Sequence, residues 1–259
     1  MLLAADIGNA HTQLGLLVHG EVRSDWRVAT DERRTADEWA VLLRGLLGAD
    51  LDEVDGIAVC ATVPAVLHEW RDMLALHFAD VAFLVVEPGV RTGIPVLMDN
   101  PREVGTDRIL NALAAVHEYG GPAIVVDFGG TATTFDVVSA AGQYVGGAIA
   151  PGIEISLEAL GRRGAQLRKV ELQRPRSVIA KNTVEALQSG MIFGVASQVE
   201  GIVARMITEL PADRAGVRVI ATGYLAGLVL GECSCFTDHA PWLTLRGLEL
   251  AFTRNNQPK

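Results

Sequence analysis

The chain carries no excess of positive charge. Its 22 Lys and Arg stand against 31 Asp and Glu, a formal net charge of −9. A nucleic-acid binder needs a cationic face to neutralise phosphates, so no nucleic-acid partner is expected. No apolar run approaches the ~18 residues of a membrane span, and no membrane partner is expected either. The opening residues, Met1-Leu2-Leu3-Ala4-Ala5-Asp6, have neither a basic start nor an apolar stretch of signal length, so no secretory leader is read there. Cysteine is scarce: Cys60, Cys233 and Cys235 form an odd set without a C-x-x-C pair. That points away from a disulfide framework and from a structural zinc site. Cys233 and Cys235 read as ordinary thiols near a loop, with a redox or metal fragment as the alternative. Low-complexity segments are missing too. These exclusions leave a soluble, cytoplasmic α/β protein as the expectation.

Of the 259 residues, 49% are hydrophobic, enough for a large packed core without staples. The length suits one to two domains at about 150 residues each. Residues 2–7 read as a buried strand, followed by a Gly-marked turn and apolar runs over 14–18 and 21–28. Three strands joined by such short turns predict an antiparallel meander. Helical spacing follows over 36–47, carried by Trp39, Leu42, Leu43, Leu46 and Leu47, and again over 66–78 and 108–119. Short strands are predicted at 56–60 and 81–86. After Gly120-Gly121-Pro122 the scheme restarts: strands over 123–127, 133–138 and 143–149, helices over 154–160 and 182–209, a strand over 217–221, and a further helix-like stretch. The same opening, Asp6-Ile7-Gly8 and Asp127-Phe128-Gly129, thus occurs twice, half the chain apart. The fold class expected is α/β with two similar domains, 1–117 and 118–259, joined near 117–122 and enclosing a cleft.

Asp-x-Gly at the end of a buried strand has a chemical use. Glycine lets the backbone turn tightly with its amides exposed, and such donors cradle phosphate. The aspartate beside them can hold Mg²⁺ directly or through water. A single such turn is often no more than a strand end. Two copies, each opening an equivalent meander and followed by hydroxyl residues, argue for the phosphate reading. Asp107 and Thr106 sit at a helix start, where Thr106 can cap the helix and Asp107 meets the positive end of its dipole.

The double Asp-x-Gly meander resembles the actin, Hsp70 and sugar-kinase superfamily, with its duplicated ribonuclease-H-like fold. More narrowly the chain resembles type III pantothenate kinase, through Asp6-Ile7-Gly8-Asn9, Asn100-Pro101-Arg102-Glu103-Val104-Gly105-Thr106-Asp107-Arg108, Thr131-Ala132-Thr133-Thr134-Phe135-Asp136, Gly146-Gly147-Ala148-Ile149-Ala150-Pro151-Gly152 and Lys181-Asn182-Thr183, with a short further match at Gly247-Leu248. The resemblance implies ATP-dependent phosphorylation of pantothenate to 4′-phosphopantothenate, the first step of coenzyme A biosynthesis. It implies Asp107 as the catalytic general base and Gly105, Thr106, Asp107, Arg108 and Thr183 as the pantothenate site, Arg108 pairing with the substrate carboxylate. It assigns ATP to Asp6, Ile7, Gly8, Asn9, Ala10, His11, Thr12, Gln13 and Thr131, Mg²⁺ to Asp6 through the phosphates, and a monovalent cation, K⁺ or NH₄⁺, to Asp127. Such a cation fits a chain with no P-loop lysine near either glycine turn; Lys181 is the nearest candidate helper, or else a solvated lysine at a helix start. A homodimer is implied as well, with the helix over 182–209 and the second domain as contact surface. Its apolar face of Leu187, Met191, Val195 and Val199 could serve that interface or the core.

Several positions depart from the family pattern. Ala10 stands where a phosphate-facing hydroxyl is usual, Gly130 is an extra glycine before Thr131, Met98 replaces a tyrosine, and Tyr224 replaces a glycine on the adenosine side. Residues 164–168 differ as well. These changes keep open the alternative of a weak or inactive member serving as a regulatory factor. A kinase for another small alcohol or sugar is a third reading. The charged set that phosphoryl transfer needs, Asp6, Asp107, Arg108 and Asp127, is complete.

Overall fold

The computed structural model describes residues 1–163, 170–211 and 216–256. The chain divides into two compact units, one made of Met1–Ile94, Asn100–Ala114 and Trp242–Lys259, the other of Pro95–Asp99 and Ala115–Pro241. The division differs from the boundary expected at 117–122. It falls within the helix that begins at Thr106, it gives 95–99 to the second unit, and it returns the last helix to the first.

In the first unit, strands β1 (Leu2–Ile7), β2 (His11–Val18), β3 (Glu21–Ala29), β4 (Gly56–Ala61) and β5 (Ala82–Val85) form a sheet in the order β3-β2-β1-β4-β5. The meander is antiparallel, and β4 and β5 add in parallel. Leu3, Ala5 and Ile7 of β1, with Ile57 and Val59 of β4, face helices α1 (Ala36–Leu47) and α2 (Pro64–His77). There Trp39 and Trp70 meet with ring centroids 5.3 Å apart. α1 starts where Thr35 and Glu38 form a reciprocal capping box, and α2 starts with Pro64 at its first position.

Side chains of a strand alternate between faces, so Asp6 and Cys60 lie on the other side of this sheet. That side is covered by α6 (Leu243–Asn256), the C-terminal helix. α3 (Thr106–Tyr119) packs on α6: Gly247 lies so close to Leu110 that a Cβ would overlap its carbonyl, and Thr244 Oγ1 donates to buried Asn111 Oδ1 at 2.8 Å. α6 was visible in the sequence only as a helix-like stretch.

The second unit repeats the design. Strands β6 (Ala123–Phe128), β7 (Ala132–Val138), β8 (Tyr144–Pro151), β9 (Arg218–Thr222) and β10 (Asp238–His239) stand in the order β10-β9-β6-β7-β8. Reversed, that is the first sheet's order with β6 in the place of β1. Helices α4 (Ile153–Arg163) and α5 (Thr183–Glu209) belong to this unit, and Ile153, Met191, Val199 and Val203 pack with Ile124, Val126 and Phe128. α5 is long and apolar enough by length and composition to cross a membrane, though the sequence shows no unbroken apolar run of that size. Its Ile192, Ala196, Val199 and Val203 are buried at helical spacing. Met191 and Val199, from the face read as interface or core, belong to the core.

Two glycines give opposite expectations. Gly247→Ala pushes α6 off α3 and destabilises by about 1–3 kcal/mol. Gly45→Ala, on the exposed face of α1 with open space around it, stabilises by about 0.5–1 kcal/mol. Urea denaturation of the two variants measures both signs.

Candidate active site

The first glycine turn is tighter than the sequence suggests. Gly8 N–H donates to His11 carbonyl at 3.0 Å, so only Gly8, Asn9 and Ala10 form the turn and β2 begins three residues earlier than expected. His11, Thr12 and Gln13 therefore belong to the sheet. Thr12 is fully buried with its hydroxyl 2.9 Å from that of Thr30, and Gln13 Nε2 donates to Asp25 at 3.0 Å. Ile7 is spent on the core, and its carbonyl accepts from the Thr62 N–H at 2.9 Å and hydroxyl at 3.2 Å. Asp6 is half-buried, and exposed Asn9 stands at the tip of the turn.

Beside Asp6 stands a residue that the sequence reading passed over. The parallel register sets Cys60 opposite Asp6, and the fully buried thiol donates to Asp6 Oδ1 at 3.3 Å. Burial, then the charges of Asp6 and Asp107, push this thiol well above its ordinary pKa, so it stays protonated. Its only signal in the sequence was a polarisable residue inside an otherwise apolar strand.

Asp107 lies in the first turn of α3. The helix begins at Thr106, so Gly105 and not Thr106 precedes the first turn; a Cβ at Gly105 would collide with Asp107 Oδ1. The residue is half-buried, while Oδ1 is closed to solvent and has no hydrogen-bond partner among the described residues. Desolvation raises the pKa of the carboxyl; the Arg108 backbone N–H and guanidinium charge pull it part of the way back. A screened carboxylate oxygen with an unused lone pair is a proton acceptor. Asp6, Cys60, Gly105, Asp107 and Arg108 all belong to the first unit.

In the second unit Asp127 holds the register position that Asp6 holds in the first. It pairs with Thr134 across the antiparallel partner and with Thr222 across the parallel one. Gly223 packs against it, since a Cβ there would sit 2.5 Å from Asp127 Oδ1. Gly130, with φ +99°, leaves room for Tyr224, whose Oη would lie 2.6 Å from a Cβ at that position. Tyr224 Oη in turn donates to Glu154 Oε2 at 2.5 Å. The ring that replaces a glycine thus reaches across the extra glycine to the first turn of α4. Thr131 is half-buried, and its carbonyl accepts from Gly152 N–H at 3.0 Å. Further along β7, buried Asp136 accepts from Tyr144 Oη at 2.7 Å and from Thr134 Oγ1 at 3.0 Å. Met98 lies against Gly146, in ordinary contact. Thr183 is exposed at the first position of α5, behind the Asn182 cap, and Lys181 is exposed as well. The departure at 164–168 lies outside the described residues.

The donor set fits hard cations bound with help from a ligand. Among the described residues no group of three or more His, Cys, Asp or Glu could hold a metal ion. One aspartate at each glycine turn offers carboxylate oxygen, and Mg²⁺ is commonly held by one or two carboxylates with phosphates and water supplying the rest.

The sequence profile of the type III pantothenate kinase family matches residues 2–205. A protein of a Nocardioides species named type III pantothenate kinase is 81% identical over 98% of this chain and 99% of its own length. One from Streptomyces griseus with the same name is 63% identical, covering 98% of each. Among solved structures, component A of the (R)-2-hydroxyglutaryl-CoA dehydratase of Acidaminococcus fermentans superposes with a TM-score of 0.55 over 99% of both chains. At 14% identity, that likeness speaks for the fold alone. The two-unit α/β architecture is the actin-like ATPase and sugar-kinase fold expected from the doubled turn. On sequence and architecture together, the chain belongs to the type III pantothenate kinase family.

Proposed function

We propose that the chain transfers the γ-phosphoryl group of ATP to the primary hydroxyl of pantothenate, yielding ADP and 4′-phosphopantothenate, the first step of coenzyme A biosynthesis. The observation that carries this reading is Asp107: a carboxylate oxygen closed to water, without a hydrogen-bond partner among the described residues, on a group whose proton affinity burial has raised. Asp107 Oδ1 takes the hydroxyl proton as the hydroxyl oxygen bonds to the γ-phosphorus and the bond to the β,γ-bridging oxygen breaks. Gly105 leaves the room that this oxygen occupies, Thr106 and Arg108 line the acceptor site, and the Arg108 guanidinium pairs with the pantothenate carboxylate. Thr183 is the remaining acceptor-side residue.

Asp6 and the turn of Gly8, Asn9 and Ala10 serve the triphosphate, with Thr131 contributing on the second turn. His11, Thr12 and Gln13 support that turn from within β2. Mg²⁺ bound through Asp6 and the phosphates offsets the charge of the transferred group. Asp127 holds K⁺ or NH₄⁺. The chain acts in the cytoplasm without a nucleic-acid or membrane partner. Family resemblance supports a homodimer, and Val178, Ile179 and Val184 remain exposed at the start of α5 and just before it for such a contact. The regulatory alternative draws no support from three curated relatives 62–81% identical to the chain, each named type III pantothenate kinase.

Purified protein with Mg²⁺, K⁺ and ATP is expected to release ADP only when pantothenate is added, and Asp127→Asn to lose the stimulation by K⁺. Turnover without pantothenate, or none with it, would remove the proposal. Asp107→Asn is expected to lower kcat by about 10²–10⁴ while ATP binding by calorimetry is retained. The base works only ionised, so kcat/KM falls as pH drops through its raised pKa, at higher pH than an ordinary aspartate would give. Stability runs the other way. The folded state favours the protonated form, so the cost of ionising Asp107 is absent below the ordinary pKa and complete above the raised one. Asp107→Asn should therefore melt higher than wild type at neutral pH, and a lower melting point would contradict the assigned burial cost. Light scattering should give twice the chain mass, and Ile179→Asp should halve it.

A further inference from the structure

The mechanism above uses Asp6 and Asp107 but gives no part to Cys60, a fully buried thiol that senses the charge of both. In the parallel pair of β1 and β4, residues 6 and 60 are direct neighbours, and their side chains share the sheet face covered by α6. Cys60 Sγ donates to Asp6 Oδ1 at 3.3 Å. The backbone just beyond this contact is held as well, because Thr62, two residues on, bonds twice to the Ile7 carbonyl. The contact is therefore held in register and does not depend on a side chain that happens to reach.

The second unit repeats the arrangement with different chemistry. The residue opposite Asp127 on its parallel neighbour is Thr222, again buried, small and able to donate one hydrogen. Twice, then, the aspartate that closes a glycine turn has a one-proton donor as its lateral neighbour. An S–H group is a weak donor. It orients a carboxylate without drawing off much of the negative charge that a cation needs. A hydroxyl would bind harder, and a methyl group would take this one donor away from the carboxylate.

We propose that Cys60 is a positioning residue for phosphoryl transfer, its thiol setting the rotation of the Asp6 carboxylate that receives Mg²⁺·ATP. This rests on the proposed assignment of Asp6 to the nucleotide. Cys60 touches no substrate in this scheme; it acts through Asp6.

Three variants and one spectrum test it. Cys60→Ala should raise KM for Mg²⁺·ATP roughly fivefold, the size a weak bond to a charged group supports, and leave KM for pantothenate unchanged. Cys60→Ser, which keeps a donor, should return KM to within about twofold of wild type, whereas Cys60→Val, which fills the space without a donor, should behave like Cys60→Ala. An unchanged KM in Cys60→Ala, or rescue by valine and not by serine, overturns the proposal and makes Cys60 a packing residue. The infrared S–H stretch needs no Cys60 variant to fold. In wild-type protein one stretch should lie at the low-frequency end of the thiol band and move upward in Asp6→Asn; a thiol band indifferent to that substitution overturns the proposal. A wild-type protein without pantothenate-dependent turnover would defeat the proposed function instead, and the infrared comparison would still decide whether Cys60 holds Asp6.

Discussion

Each half of this molecule is organised around one costly placement: an aspartate at the next-to-last position of a central strand whose other residues are buried. An ionised carboxylate at the edge of a core is tolerated only where donors or counter-charges meet it. That requirement shapes what surrounds it. The strand must end in a turn that opens at once, the lateral neighbour must be small and polar, and the covering segment must come close without burying the acid completely. Cys60 and Gly8 meet these demands in the first unit; Thr222 and the glycines at 129, 130 and 223 meet them in the second. The sheet face behind the acid is free to be apolar, and it is there that Trp39, Trp70, Met191 and Val199 pack.

The parts that were legible in the sequence are those whose physics is local. Strand runs, the meander, the helical spacing over 36–47 and the doubled Asp-x-Gly follow from spacing within about ten residues. What was hidden depends on partners far away in the chain. β2 starts at His11 because Gly8 donates back across the turn and Thr12 finds Thr30. The hydroxyl and amide that the sequence suggested for phosphate contact are thereby committed to the sheet. Cys60 becomes interesting only once the register sets it against a residue 54 positions earlier. Tyr224 is similar: the sequence showed only a ring in place of a glycine, and the structure shows a hydroxyl bonded to Glu154, 70 residues away.

The candidate site itself was half readable. Asp6 and Asp127 each lie near the end of a central strand and Asp107 in the first turn of a helix, as their spacing predicted, and the solvent-closed oxygen of Asp107 gives the proposed base a physical basis that the motif alone did not. Gly105 shows how a motif glycine can be fixed by a side chain rather than by its own backbone angle, since the room it leaves is taken by Asp107. Thr106, by contrast, looked like a cap and is instead the first helical residue. A one-residue shift of that kind is invisible to propensity, because either position satisfies the same first-turn electrostatics.

The buried hydrogen bond from Thr244 to Asn111 joins segments 133 positions apart, and the helix that carries it seals the first sheet. During synthesis on the ribosome, the N-terminal sheet therefore emerges long before the piece that roofs it, and every strand of the second sheet leaves the exit tunnel in the interval. Nascent chains of intermediate length must carry an uncovered apolar surface beside Asp6, a window in which chaperones have something to hold.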